Sequence, residues 1–187
     1  MLITELFEPK SLSDLDPNLN VEVISKGSSW AWQFEVPNAQ GEPTPFCLRA
    51  GDLRQAYYMS DEFKNFWFIN MIQAKCSTPL KIDNETLSKM SDVGNMGRES
   101  VTVFSTVGSL LNDFIKQTQA KGVVFNSVPG REKLYSTFAA VIKRQTGWEY
   151  ASASGSFVMP QIFYFFAKDK EMLSMLMNNF RDLGQID

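Results

Sequence analysis

Ser105, Thr106 and Ser109 stand where two periodicities meet. Upstream, Val101-Thr102-Val103-Phe104-Ser105-Thr106 is apolar and β-branched, which predicts a buried strand. Downstream, Val107, Leu110, Leu111, Phe114 and Ile115 recur at helical spacing, with Asn112, Asp113, Lys116 and Gln117 on the other face. Hydroxyls at such a junction can accept hydrogen bonds from the free N–H groups of a first helical turn. The same place, where strand C-termini meet helix N-termini, is where an α/β sheet takes a ligand. Composition closes off other chemistries. Histidine is absent from the 187 residues, which excludes Ser-His-Asp and Cys-His hydrolases and His-ligated metals. Cys47 and Cys76 are too few for a Cys-rich zinc site, so no metal is expected. They can form one disulfide, but Met1-Leu2-Ile3-Thr4-Glu5 does not read as a signal peptide, and a reducing, cytoplasmic compartment is expected.

The elements around this junction are closely spaced. Gly122 ends the predicted helix just after Lys121, whose charge suits a helix C-terminus. Val123-Val124-Phe125 predicts a second buried strand, and Asn126-Ser127-Val128-Pro129-Gly130 a turn, with Pro129 suited to a helix start. Leu134, Tyr135, Phe138, Val141 and Ile142 predict a second amphipathic helix, closed at Gly147. Two buried strands joined by a helix make a right-handed βαβ unit with parallel strands, so residues 101–147 read as a βαβα core.

The flanks read more simply. Residues 1–20 form a polar N-terminal extension. Val21–Ile24 and Trp30–Val36 predict strands, the second with strict alternation, and Phe46–Arg49 a short edge strand. Tyr57–Met59 and Phe66–Ile72 predict an antiparallel pair, the latter central because it is apolar on both faces. Residues 73–100 read as a long connector or substrate loop, with Leu87–Met90 a short helix and Gly94 and Gly97 near its end. Trp148–Tyr150 and Gln161–Phe166 predict two more strands, and 169–184 a C-terminal amphipathic helix. The chain is expected to be one domain, 1–187, of mixed α/β (α+β) class. Its hydrophobic fraction of 44% is ample for a core, and its net charge of −3 gives no reason to expect nucleic-acid binding. No apolar run approaches the about 18 residues of a membrane helix, and no membrane partner is expected.

Phe104-Ser105-Thr106-Val107, an amphipathic helix, a strand ending at Phe125-Asn126-Ser127 and then Arg131-Glu132-Lys133-Leu134-Tyr135 resemble phage-encoded proteins of the GNAT acetyltransferase type. The resemblance covers residues 95–167. It implies a mixed, mostly antiparallel central sheet splayed into a V, with acetyl-CoA between its two parallel strands and a C-terminal helix. It implies acetyl transfer to an amine of a host protein or small molecule, modulating host metabolism. The alternative is a GNAT-shaped protein that grips a host protein without acetylating it, through the Met-rich helix carrying Met172, Met175 and Met177.

The same resemblance distributes roles along the chain. The pyrophosphate would sit at the helix N-terminus formed by Ser105-Thr106-Val107-Gly108-Ser109, where free N–H groups and the helix dipole favour an anion. Family members carry Gln/Arg-x-x-Gly-x-Gly/Ala there; this sequence offers only Gly108 for close backbone approach and lacks the basic residue. Val103 and Ser105 would present backbone groups to the pantetheine arm. Asn126 would help hold the cofactor, and Arg131 would contact a phosphate. Tyr135 would protonate the departing thiolate. Glu99 is the leading general base, with Asp92 and Glu35 as alternatives. Trp30-Trp32 and Phe66-Trp67-Phe68 would line an acceptor pocket. Each residue also has an ordinary reading: helix caps for 105–109, a core tyrosine, a solvated arginine, surface carboxylates and core aromatics.

Overall fold

The computed structural model describes residues 19–27, 29–38, 40–77, 99–127, 132–156 and 161–187, with the side chains at 99–101, 132–134, 137 and 141 left outside. Its strands are β1 (Val21–Ser25), β2 (Ser29–Pro37), β3 (Pro43–Asp52), β4 (Phe66–Ile72), β5 (Gly122–Ser127), β6 (Glu149–Ser154) and β7 (Ile162–Ala167). Its helices are α1 (Leu53–Ala56), α2 (Glu99–Thr118), α3 (Glu132–Thr146) and α4 (Lys170–Asp182). The seven strands form one sheet in the order β1-β2-β3-β4-β5-β7-β6. Its parallel pair is β4/β5, while β1/β2, β5/β7 and β6/β7 are antiparallel. The fold is thus the mixed, mostly antiparallel α/β sheet with a C-terminal helix that the sequence leads one to expect.

The parallel pair is not the expected one. Residues 101–106 are not a strand; they are the front of α2, a 20-residue helix. Val103, Phe104, Val107, Leu110, Leu111 and Phe114 are all buried, and their spacing is that of one helical stripe running through the supposed junction. The hydroxyls that suggested a boundary are satisfied inside the helix. Ser105 Oγ and Thr106 Oγ1 donate to the Thr102 carbonyl at 2.9 and 2.7 Å, and Thr118 Oγ1 donates to the Phe114 carbonyl at 2.8 Å. The parallel partner of β5 is β4, with Phe66 opposite Gly122 through Ile69 opposite Phe125. Tyr57–Met59 is not a strand either. It follows α1, and Tyr58 sits at φ +56°, 95% exposed, a conformation that ends any ladder. Leu87–Met90 and most of the 73–100 connector lie outside the described residues.

The chain divides into two compact units, Met1–Ala50 with Asn70–Leu111, and Gly51–Ile69 with Asn112–Asp187. In the first, β2 alternates as expected: Trp32, Phe34 and Val36 are buried and Glu35 exposed. Phe34 stacks on Phe46 of β3, ring centroids 5.6 Å apart. Phe46, Cys47 and Leu48 are fully buried. Cys47 is bonded to Cys76, their Cα atoms 5.1 Å apart, whereas reduced thiols were expected. Cys47, Ile72 and Ala74 form a small apolar cluster against which Cys76 packs.

In the second unit, aromatic side chains fill both faces of the sheet. Leu53, Phe63, Phe66, Val124, Phe163, Phe165, Leu176 and Phe180 form a continuous cluster beneath α4. Phe180 meets Tyr57, Phe163 and Phe165 with ring centroids 5.0, 5.6 and 5.1 Å away. Asp169 caps α4, its carboxylate accepting from the Met172 N–H at 2.8 Å. Asp52 caps α1 in the same way, at 2.9 Å from the Arg54 N–H, and the Arg54 guanidinium bridges Asp52 and Asp61 at 2.6 and 3.0 Å. Gly122 does not end α2; Gln119 takes the left-handed conformation there, at φ +51°. Gly122 opens β5 instead, where a Cβ would lie 2.6 Å from the Phe66 ring and 2.7 Å from the Phe166 carbonyl. Gly147, at φ +67°, closes α3 as expected, its N–H bonded to the Lys143 carbonyl at 2.8 Å.

Candidate active site

The C-terminal end of β5 is built by alternation. Val123, Phe125 and Ser127 project to one face of the strand, Gly122, Val124 and Asn126 to the other. On the first face α3 lays Tyr135 and Phe138 over Phe125, with ring centroids 6.1 and 5.7 Å away. Tyr164 of β7 stacks on Phe125 at 5.1 Å and lies 6.2 Å from Tyr135. Tyr150 of β6 continues the array, 6.5 Å from Tyr164. Burial pushes the Tyr150 phenol up, partly opposed by its hydrogen bond with Ser152.

Two polar atoms on this face are buried without a hydrogen-bond partner, the Ser127 hydroxyl and the Trp67 indole Nε1. Trp67 lies opposite Val123 in the parallel register, so it shares a face with Ser127. Its ring is otherwise edge-on to Phe114, at 5.1 Å. A buried donor left without an acceptor is costly, and native sites that hold one commonly serve a ligand or water. Neither residue was given a cofactor role from sequence. Period-two alternation from Phe125 places Ser127, and not Asn126, on this face.

The other expected residues are distributed as follows. Asn126 faces away from Tyr135, and its Nδ2 donates to Gln161 Oε1 across β5 and β7. Val103, Ser105, Thr106, Val107, Gly108 and Ser109 lie within α2, with Thr106 and Ser109 buried. Their backbone N–H groups fall well past the first turn, where helical bonding already uses them, so they form no anion cradle. Glu99 is the first residue of α2, and its side chain lies outside the described residues, as do Arg131 and Asp92. Glu35 is exposed on β2. Tyr135 is 9% exposed, on the helix where the resemblance expects it. Among the described residues no group of three or more carboxylate, thiol or imidazole ligands could hold a metal. No described helix is long and apolar enough to cross a membrane.

No family model matches this sequence, and no curated protein sequence matches it. Among solved structures it is similar to a point mutant of spermidine N-acetyltransferase from Vibrio cholerae, at 9% identity, covering 81% of this chain and 73% of that one, with a TM-score of 0.40. It is also similar to a protein described as a probable acetyltransferase, at 9% identity, covering 78% of this chain and 63% of that one, with a TM-score of 0.37. The chain therefore matches less than two thirds of the second protein's length.

Proposed function

We propose that this chain is an acyl-CoA-dependent N-acyltransferase, with acetyl-CoA as donor and an amine of a small molecule or host protein as acceptor. One arrangement carries the reading. One parallel pair, β4/β5, lies in a sheet whose β1/β2, β5/β7 and β6/β7 pairs are antiparallel, and the face covered by Tyr135 holds two buried polar atoms in want of partners. Acetyl-CoA would supply the thioester that an amine attacks. Tyr135, whose ring lies 6.1 Å from Phe125 of β5, is the proposed acid for the departing thiolate. Ser127 and Trp67 would offer hydrogen bonds to the acyl and pantetheine groups. Asn126, tied to Gln161, would hold the ends of β5 and β7 together rather than contact the cofactor.

The boundary of α2 leaves 105–109 without the free N–H groups that a phosphate needs. The free N–H groups of that helix belong to the residues starting at Glu99. The sequence just before them reads Gly94-Asn95-Met96-Gly97-Arg98. That stretch carries the second glycine and the basic residue that 105–109 lacks. Arg131 is kept as a second phosphate contact, and Glu99, Asp92 and Glu35 as alternatives for the general base. A second reading, a GNAT-shaped binder of a host protein without transfer, draws on the absence of a cradle at 105–109. Its suggested grip is occupied, because Met172, Met175 and Met177 pack against the chain's own core.

Isothermal titration with acetyl-CoA, followed by assay against a panel of amines, tests the proposal. Wild-type protein should bind with a Kd of about 1–100 µM, and Arg98→Ala should weaken binding. Tyr135→Phe should keep binding and lose about 100-fold in transfer rate. No heat at millimolar acetyl-CoA would end the enzyme reading. Binding without transfer to any amine would favour the second.

A further inference from the structure

We propose that the Cys47–Cys76 disulfide is a thiol-exchange site, at which an external thiol attacks Cys76 and frees residues 73–77 from their tether to β3. The inference concerns the first unit alone and does not depend on the acyl-transfer reading.

The two sulfurs differ in access. Cys47 is fully buried, between Phe46 and Leu48. Cys76 is half-buried on an irregular stretch past the end of β4, flanked by exposed Lys75 and Ser77. In thiol–disulfide exchange the accessible sulfur is the one attacked, and the leaving sulfur departs faster when its thiolate is stabilised. Cys76 is the accessible sulfur. Cys47 shares a face of β3 with Arg49, two residues along, and among the described residues no carboxylate forms an ion pair with that guanidinium. A nearby unneutralised cation favours a cysteine thiolate.

Among the described residues, Ala74 packs into the small cluster with Cys47 and Ile72, and the polar ties of the stretch lie at Cys76. Its N–H donates to Gln33 Oε1 at 3.0 Å. Its carbonyl accepts from Arg49 Nη2 at 2.7 Å. The disulfide is the third tie, and the only one whose existence depends on the redox state of the surroundings.

The exchange balances with a dithiol as co-reactant. The first dithiol sulfur, as thiolate, forms a bond to Cys76 Sγ. The Cys76–Cys47 bond breaks, and its electron pair leaves on Cys47 Sγ, which takes a proton. The second dithiol sulfur then displaces Cys76 from the mixed disulfide. Two protein thiols and one oxidised dithiol result.

Limited trypsin digestion of the full chain, with and without dithiothreitol, tests this. Cleavage after Lys75 should be slow in the oxidised protein and about tenfold faster once reduced, because proteolysis follows local opening. Cys76→Ser should be cut at the fast rate in both conditions. Oxidised glutathione should modify Cys76 in Cys47→Ser, and leave Cys47 untouched in Cys76→Ser until the protein is denatured. Equal cleavage of wild-type protein in both redox states would overturn the proposal, as would alkylation of both cysteines without reductant, or modification of Cys47 ahead of Cys76.

Discussion

The two units secure their irregular segments by different means. In the second, Tyr57 is held after α1 by ring contacts with Phe68 and Phe180, centroids 5.4 and 5.0 Å away, within a cluster that extends over β5, β7 and α4. In the first, the described stretch after β4 packs against a small cluster that includes Cys47, Ile72 and Ala74, and a covalent bond joins it to β3. A large apolar contact stabilises in proportion to the area it removes from water. A cross-link acts chiefly by restricting the unfolded chain, so it serves where little area can be buried. The first mechanism is indifferent to redox conditions and the second depends on them.

That difference can be broken from either side. Phe180→Ala, which empties the centre of the aromatic cluster, should cost about 3–5 kcal/mol in urea denaturation, by the same amount with and without reductant. Cys76→Ser should cost about 3 kcal/mol relative to oxidised wild type and almost nothing relative to reduced wild type. Equal losses in both conditions would mean that the cysteine matters for packing rather than as a tether. Gly122→Ala should cost about 1–3 kcal/mol by overpacking, since the new methyl meets the Phe66 ring and the Phe166 backbone. Trimming the ring, as in a Phe66→Leu, Gly122→Ala double variant, should recover part of that loss.

The smallest expected effect concerns charge. Asp52→Asn should cost less than about 1 kcal/mol near neutral pH, because it removes the charge from the pairing with partly exposed Arg54 while asparagine can still cap α1. The Arg54 guanidinium holds the Asp52 carboxyl below its ordinary value. The associated stabilisation is therefore complete above about pH 4, the unfolded value, and is lost as pH falls through the depressed one. Stability curves of wild type and variant should converge there. A gap that persists at low pH would assign the effect to shape rather than charge.

Much of the fold was legible because local pattern and tertiary burial agree. Strict alternation marked β2, helical stripes marked α3 and α4, and Phe66–Ile72 read as central because both its faces are apolar. The failures came where two signals competed. Residues 101–106 are β-branched, and that composition outweighed a helical stripe already present in Val103, Phe104, Val107 and Leu110. The hydroxyls of Ser105 and Thr106 cost the helix little because each bonds back to Thr102. The partner of β5 could not be read locally, since parallel pairing joins strands far apart in sequence. Helical periodicity placed Tyr135 on α3, where the structure has it. Which of Asn126 and Ser127 shares a face with Tyr135 depends on the side of β5 that the helix covers, and local sequence does not carry that.

The Cys47–Cys76 bond also has a mechanical consequence. It closes a covalent ring spanning a sequence separation of 29. If a single molecule is stretched by its ends, force bypasses the residues inside that ring, and β4, whose residues all lie within it, is shielded from tension. Reduction opens the ring and adds about 100 Å of extendable contour. The same chain would therefore be shorter at full extension, and stiffer around β4, in an oxidising solution than in a reducing one.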